Sequence, residues 1–283
     1  MEIKKVGVVG CGLMGRGIVE ISAKAGFDVI VSEVNQQLLD TGLAALKSSL
    51  GKAVEKGKAT EDEKKAALGK IKGTVNVEDF KDRDLVIEAA IENMDIKKKI
   101  FADLDRITPK HAILATNTSC LSIIEMAAVT KRQEQVFGMH FFNPVPVMRL
   151  LELVKTIATS EETLNVGRAF GEATGKTVII APDIPGFIVN RLLMPFLIEA
   201  MRMYESGLAT KEDIDKGVML GLNHPMGPLT LGDFVGLDTA YFICEAMYDE
   251  LKDQRFASPV LLRKMVTSGR LGRKSGRGFY NYK

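Results

Sequence analysis

The chain lacks the features that mark several specialised protein classes. It has only three cysteines in 283 residues, Cys11, Cys120 and Cys244, far apart and odd in number. A disulfide framework or a zinc site needs a different count or closer spacing, so neither is expected and no metal is assigned. Such sparse cysteine usage fits a reducing, cytoplasmic compartment. A charge excess is also missing: 38 Lys+Arg stand against 36 Asp+Glu, a net charge of +2. Nucleic-acid binders usually carry a concentrated basic excess, so no nucleic-acid partner is expected. Long hydrophobic runs are absent too. The apolar segment at residues 6–14 is too short and too rich in glycine for a signal peptide. The longest run, 187–201, contains Asn190, Arg191, Pro195 and Glu199. A membrane span needs about 20 largely uncharged residues, so a buried helix is expected there and no membrane partner. No internal repeat or low-complexity tract is present.

What remains is an ordinary globular balance, 46% hydrophobic and 26% charged residues. The length suits one large or two modest domains. Residues 3–9 form a short apolar, β-branched run, 13–25 read as a helix stopped by Gly26, and 28–32 read as a second strand. Strand, helix and strand within about 30 residues make a βαβ unit and hence a parallel sheet. Further strands are expected at 85–88, 112–115, 136–139, 150–154 and 177–180. Between the second strand and the one at 85–88 lies a long insertion. Leu39, Leu43, Leu46, Leu50 and Val54 recur at helical spacing, which predicts one helix over 36–56. Thr60 with Glu63 is a capping box for a second helix ending near Gly69. The pair should form a helical hairpin standing off the sheet. Beyond Pro185 no strand is expected. Residues 187–206 are apolar on nearly every face, predicting a helix buried on nearly every face and kinked at Pro195. Thr210 with Asp213 caps another helix, Gly236-Leu237-Asp238 precedes one, and Ser258-Pro259 opens a last one stopped by Gly269. The expected fold is therefore α/β: a Rossmann-type, mostly parallel sheet with an inserted helical hairpin over 1–183, then an all-α domain over 184–283.

Gly10-Cys11-Gly12-Leu13-Met14-Gly15 has the form G-x-G-x-x-G. It follows a predicted strand and opens a predicted helix, and Glu33 ends the next strand 21 residues after Gly12. That context points to a dinucleotide site, against the alternative of a glycine-rich turn with no ligand. Gly10 permits the tight turn, Gly12 lets the backbone approach the pyrophosphate, and Gly15 lets helix and strand pack. The helix N-terminus at Leu13 and Met14 offers N–H donors to the phosphates. Glu33 would accept hydrogen bonds from ribose hydroxyls and repel a 2′-phosphate, and no arginine follows it. NAD is favoured over NADP, with FAD the rival for the same fingerprint.

Three histidines limit the search for a proton-transfer group. His111 lies in a polar turn, and His224 lies in an Asn-His-Pro loop that suits a structural role. His140 directly follows the predicted strand at 136–139, where ligands bind in open parallel sheets. Position alone leaves it balanced between a catalytic group and a satisfied core histidine.

At this point the chain resembles the 3-hydroxyacyl-CoA dehydrogenase family, in particular its short, single-function bacterial 3-hydroxybutyryl-CoA dehydrogenases. The matching stretches are V-G-V-V-G-C-G-L-M-G-R-G-I from Val6, A-T-N-T-S from Ala115 and G-M-H-F-F-N-P-V-P-V-M from Gly138. D-I-P-G-F-I-V-N-R-L-L from Asp183, H-P-M-G-P from His224 and the closing G-R-G-F-Y-N-Y-K follow in family order. The resemblance spans essentially the whole chain. It implies reversible, NAD-dependent oxidation of a short-chain (S)-3-hydroxyacyl-CoA, 3-hydroxybutyryl-CoA to acetoacetyl-CoA, by a homodimer formed through the helical domain. It implies His140 as general acid/base, Glu152 as its carboxylate partner, and Ser119 and Asn190 as hydrogen-bonders of the reacting oxygen and the imidazole. Asn117 and Asn143 resemble secondary contacts with nicotinamide and the active site, and Ala90, Glu92 and Lys97 fall in the stretch beside the cofactor.

Each role has a plainer counterpart. Glu152 could be a strand residue facing solvent, Ser119 only a helix N-cap, and Asn190 a buried helix-start residue. Ser49, Lys52 and Lys56 share one helix face, and Ser49 and Lys56 align with positions that meet the CoA part of the substrate. A merely solvated lysine face is the alternative for that spacing. Two other functional classes stay open beside the acyl-CoA thioester enzyme: a crystallin-like structural protein of the same fold, and a dehydrogenase of free 3-hydroxy acids. Loss of His140 or Glu152 would favour the first, and a catalytic lysine the second.

Overall fold

The structure is a computed structural model that describes residues 2–282. The chain divides into two compact units, Met1–Asp183 and Ile184–Lys283.

The first unit is built on one eight-stranded sheet with the order β3-β2-β1-β4-β5-β6-β7-β8. The strands are β1 (Lys5–Val9), β2 (Asp28–Ser32), β3 (Ile71–Thr74), β4 (Leu85–Glu88), β5 (Ile113–Thr116), β6 (Val136–Phe141), β7 (Leu150–Lys155) and β8 (Thr177–Pro182). β1 to β6 pair in parallel, β7 runs antiparallel to β6, and β8 is parallel to β7. The chain order reverses between β1 and β4, which opens a crevice at the carboxyl ends of those strands. β4, β5 and β6 are buried along their whole length, as expected for strands covered on both faces.

Helix α1 (Leu13–Lys24) follows β1 and buries Ile18, Val19 and Ile21 in the sheet core. The helical hairpin is α2 (Gln36–Glu55) and α3 (Glu61–Gly69). Its capping box is formed: Thr60 Oγ1 accepts from the Glu63 N–H at 3.1 Å, and Glu63 accepts from the Thr60 N–H at 2.7 Å. The hairpin does not stand off the sheet. Leu39, Leu46 and Leu50 join the main core, and both helices pack on α1. Gly42 brings α2 against Cys11, so closely that an added Cβ would lie 2.4 Å from the Cys11 carbonyl oxygen. The hairpin is also not an insertion between distant strands but the crossover from β2 to β3. β3 escapes sequence reading because Ile-Lys-Gly-Thr is short, polar and at the sheet edge.

After α4 (Met94–Ile107), α5 (Ile123–Ala127) and α6 (Glu161–Ala173) of the first unit, the second unit is helical: α7 (Val189–Glu205), α8 (Lys211–Gly221), α9 (Pro228–Val235), α10 (Leu237–Leu251) and α11 (Val260–Thr267). Among the described residues it contains two isolated β-bridges and no strand. Met194, Leu197, Met201, Leu229, Leu237, Met247 and Leu262 form its core. Helix α7 is not buried all round, since Leu192 is 73% exposed. Helix α9 goes unseen in the sequence because glycines and prolines crowd its flanks; it starts with Pro228 in its first turn and ends at Gly236, whose φ is +100°. Asp215 accepts from the N–H groups of Leu229 and Thr230 at 2.8 and 3.0 Å and thereby caps α9. Asp233 clamps the C-terminal segment through the N–H groups of Phe279 and Tyr280, both at 2.9 Å. Among the described residues no helix is long and apolar enough to cross a membrane, and no acidic, histidine or cysteine cluster is suited to a metal ion.

Candidate active site

The glycine turn follows β1 at the reversal point. Gly10 has φ +96°, and a Cβ there would lie 2.7 Å from the Ala89 carbonyl oxygen. A Cβ on Gly15 would lie 1.9 Å from the Gly10 carbonyl oxygen, so α1 starts directly against the turn. Gly12 differs: its Cβ direction meets nothing within 4 Å. Gly12 is the N-cap of α1, no side chain caps the helix, and its first turn, with Leu13 and Met14, holds no acid. Uncapped N–H donors at the positive end of a helix dipole suit an anionic phosphate. Glu33 completes the cradle. Its Oε1 accepts from the Cys11 N–H at 2.8 Å and its Oε2 from the Val34 N–H at 3.0 Å. Each carboxylate oxygen keeps acceptor capacity for a ribose hydroxyl. Burial, then the charge of Glu33, pushes the Cys11 thiol up to about 11, and burial pushes Cys244 up to about 12 and Cys120 further. The described cysteines are thus poor nucleophiles.

His140 lies within β6, not after it, because the strand runs on to Phe141. Its direct partner in the antiparallel ladder is Glu152 of β7. His140 Nδ1 and Glu152 Oε2 are 2.6 Å apart, with the two residues 4% and 0% exposed. Glu152 therefore does not face solvent. A buried carboxylate accepting from Nδ1–H fixes the tautomer that leaves Nε2 with the lone pair. Phe142 packs on the imidazole at 4.6 Å between ring centres.

Asn117, just past β5, accepts from the Phe141 N–H through Oδ1 at 3.0 Å, which ties the β5 end to the histidine strand. Ser119 is two residues further on. It is not a helix N-cap: that position belongs to Ser122, ahead of α5 (Ile123–Ala127). The Ser119 N–H donates to Glu92 at 2.8 Å and the Thr118 hydroxyl to the same oxygen at 2.6 Å. Lys97, in α4 (Met94–Ile107), is only 1% exposed. Its ammonium is held by Glu88 at 2.7 and 2.8 Å and by Glu92 at 3.3 Å, so it is engaged inside the protein. Ala90 donates its N–H to Glu88 at 2.7 Å. Glu88, Thr116 and Thr118 were not legible as site residues. The available signal was Lys97 itself, in the buried stripe with Phe101 and Leu104 at i, i+4 and i+7.

Asn143 is exposed on the loop after β6 and lines a cavity of about 330 Å³ with Arg16, Glu20, Ser49 and Lys52. Lys176, not foreseen, steadies that loop by donating to the carbonyl oxygens of Val145 and Met148. Lys56 is exposed and is the C-cap residue of α2, and it is not among the residues lining that cavity. Asn190 is buried in the first turn of α7, in the second unit.

A glycine cradle suited to a nucleotide, on the same sheet as a buried histidine–carboxylate pair, defines a nucleotide-dependent dehydrogenase. Residues 5–184 match the family profile described as 3-hydroxyacyl-CoA dehydrogenase, NAD binding domain, and residues 186–282 that of the 3-hydroxyacyl-CoA dehydrogenase C-terminal domain. The chain belongs to the 3-hydroxyacyl-CoA dehydrogenase family. It is 49% identical to a 3-hydroxybutyryl-CoA dehydrogenase of Mycobacterium tuberculosis over 99% of both chains. It is 49% identical to a probable 3-hydroxybutyryl-CoA dehydrogenase of Bacillus subtilis, over 100% of this chain and 98% of that one. The crystal structure of the (S)-3-hydroxybutyryl-CoA dehydrogenase PaaH1 from Ralstonia eutropha superposes with a TM-score of 0.95, 45% identity and full coverage of both chains.

The cradle makes a sharp prediction. Gly12→Ala meets no atom in the fold, so its melting temperature should match the native value, while NADH binding should weaken by about tenfold or more, roughly 1.4 kcal/mol. Thermal melts and a fluorescence titration of NADH check both halves; native affinity in the variant would mean that nothing approaches Gly12.

Proposed function

We propose that the chain oxidises (S)-3-hydroxybutyryl-CoA to acetoacetyl-CoA reversibly with NAD, and that His140 is its acid/base. The observation that carries this is the 2.6 Å contact of His140 with the fully buried Glu152, on two interior strands of the sheet that also carries the dinucleotide cradle. NAD, when bound, supplies the acceptor or donor of the hydride at C3. His140 Nε2 takes the proton of the 3-hydroxyl during oxidation and returns it during reduction. Glu152 keeps the imidazole in the required tautomer and offsets the positive charge it gains. Ser119 holds the reacting oxygen in line, and Asn117 holds the histidine strand against the β5 end. Gly10, Gly12, Leu13, Met14 and Gly15 hold the pyrophosphate, and Glu33 the adenosine ribose.

Expected behaviour is specific. The native protein should oxidise NADH with acetoacetyl-CoA and leave acetoacetate untouched. His140→Gln should lower kcat by ~10²–10⁴ with NADH affinity nearly intact, and Glu152→Gln should lower it as well. Turnover of the free acid, or a native rate in His140→Gln, would contradict the reading.

Ser49, Lys52 and Lys56 are read as the CoA contact. Ser49 and Lys52 border the same cavity as Asn143, and both lysines are exposed cations suited to CoA phosphates. An exposed ion pair contributes ~0.2–1 kcal/mol, so Lys52→Ala/Lys56→Ala should raise KM for acetoacetyl-CoA by a few-fold to some tens-fold. KM for a truncated pantetheine thioester should stay near its native value; an equal change for both esters would return the lysines to a solvated face.

The helical unit is read as a substrate and dimerisation domain, and the enzyme as a cytoplasmic homodimer. Leu192, Leu208, Leu220 and Leu222, each more than half exposed, support an apolar contact there. Light scattering at micromolar concentration should give a dimer's mass; a stable monomer would oppose it.

A further inference from the structure

Glu88, Glu92 and Lys97 lie beneath the two loops that border the reacting centre, and the chemistry above leaves them without a role. Lys97 and Glu88 are fully buried, whereas the Glu92 side chain is 26% exposed toward the loop surface. Glu88 receives the Lys97 ammonium on both oxygens, the Thr116 hydroxyl at 2.6 Å and the Ala90 N–H at 2.7 Å. Glu92 receives the Thr118 hydroxyl, the Ser119 N–H and the other side of Lys97. Every polar contact here is a donor pointing at a carboxylate oxygen. One ammonium faces two carboxylates, so the group carries a surplus of one negative charge.

Its place in the fold gives that charge a target. The glycine turn follows β1, and Glu33 at the end of β2 takes the adenosine ribose. The other half of a dinucleotide then extends the opposite way, across the carboxyl ends of β4 and β5. Glu92 stands on the loop after β4 and grips Thr118 and Ser119 on the loop after β5. The oxidised nicotinamide ring carries a positive charge and the reduced ring is neutral. A fixed negative charge in a poorly solvated wall therefore favours one redox state over the other.

We propose that Glu88, Lys97 and Glu92 are positioning residues that hold the Ser119 loop, and that their surplus negative charge biases the site toward the oxidised nucleotide. This rests on the NAD reading of the cradle. Glu92 is the adjustable member, since Lys97 is already paired by Glu88 on both oxygens.

The test is equilibrium binding without turnover. Dissociation constants for NAD⁺ by calorimetry and for NADH by nucleotide fluorescence are measured on the native protein, Glu92→Gln and Lys97→Met. Glu92→Gln removes a negative charge while keeping an acceptor for Ser119. It should raise the ratio of the NAD⁺ to the NADH constant by roughly 3- to 20-fold, the effect of one unit charge across a protein wall. Lys97→Met leaves the carboxylates uncompensated and should move the ratio the other way. A purely structural role would weaken both nucleotides alike, so an unchanged ratio in Glu92→Gln overturns the inference and leaves the cofactor assignment standing. Should Lys97→Met fail to fold, as loss of one partner from a buried ion pair allows, Glu92→Gln decides alone. Failure of the native protein to bind either nucleotide would overturn the cofactor assignment, and this inference with it.

Discussion

The hydrogen bond between His140 and Glu152 depends on a single register. β6 and β7 are antiparallel, and the ladder sets Met139 opposite Leu153, His140 opposite Glu152 and Phe141 opposite Leu151. Side chains alternate along a strand, so a slip by one residue would put His140 and Glu152 on opposite faces of the sheet. Met139, Leu153, Phe141 and Leu151 are all buried, and such a slip would also take them off their core faces. Packing of apolar neighbours thus fixes a polar contact that would be costly if half made. A buried carboxylate without its partner would lose several kcal/mol, so the pair is held by the fold as much as it serves the chemistry.

Around that pair the first unit repeats one device, a buried or half-buried side chain that ties a loop to the end of a neighbouring strand. Asn117 ties the β5 end to β6, Glu92 ties the β4 loop to the β5 loop, Glu33 ties the β2 end to the glycine turn, and Lys176 ties β8 to the loop carrying Asn143. Loops at a sheet edge are otherwise the mobile part of an α/β fold. Here they are cross-braced, and bracing of this kind is what a hydride transfer between two bound molecules requires, since small misplacements cost large factors in rate.

Much of this was legible in the sequence where the cause is local. The glycine turn, the capping box at Thr60 and Glu63 and the buried strands at β4 and β6 each follow from a few adjacent residues. The helical hairpin was visible too, but not its packing on α1, because that depends on Gly42 meeting Cys11 thirty-one positions away. β3 and α9 were missed for related reasons. One is a short polar edge strand held by its neighbour, and the other is a helix whose buried cap, Asp215, comes from a different helix. Within the site, the family motifs led to His140 and Glu152. Their contact could not be read from spacing alone, because twelve residues separate them along the chain and only the antiparallel turn of β7 makes them neighbours. Glu88 was invisible for the opposite reason: in sequence it is simply the polar last residue of a strand.

The tautomer of His140 tests the central claim most directly. With three histidines in the chain, two of them exposed, ¹⁵N-labelled histidine gives a spectrum simple enough to assign by substitution. The account predicts that neutral His140 carries its proton on Nδ1, directed at Glu152, and that Glu152→Gln disturbs this resonance while leaving those of His111 and His224 in place. A neutral His140 protonated on Nε2 would contradict it, because the imidazole would then have no lone pair to offer the 3-hydroxyl.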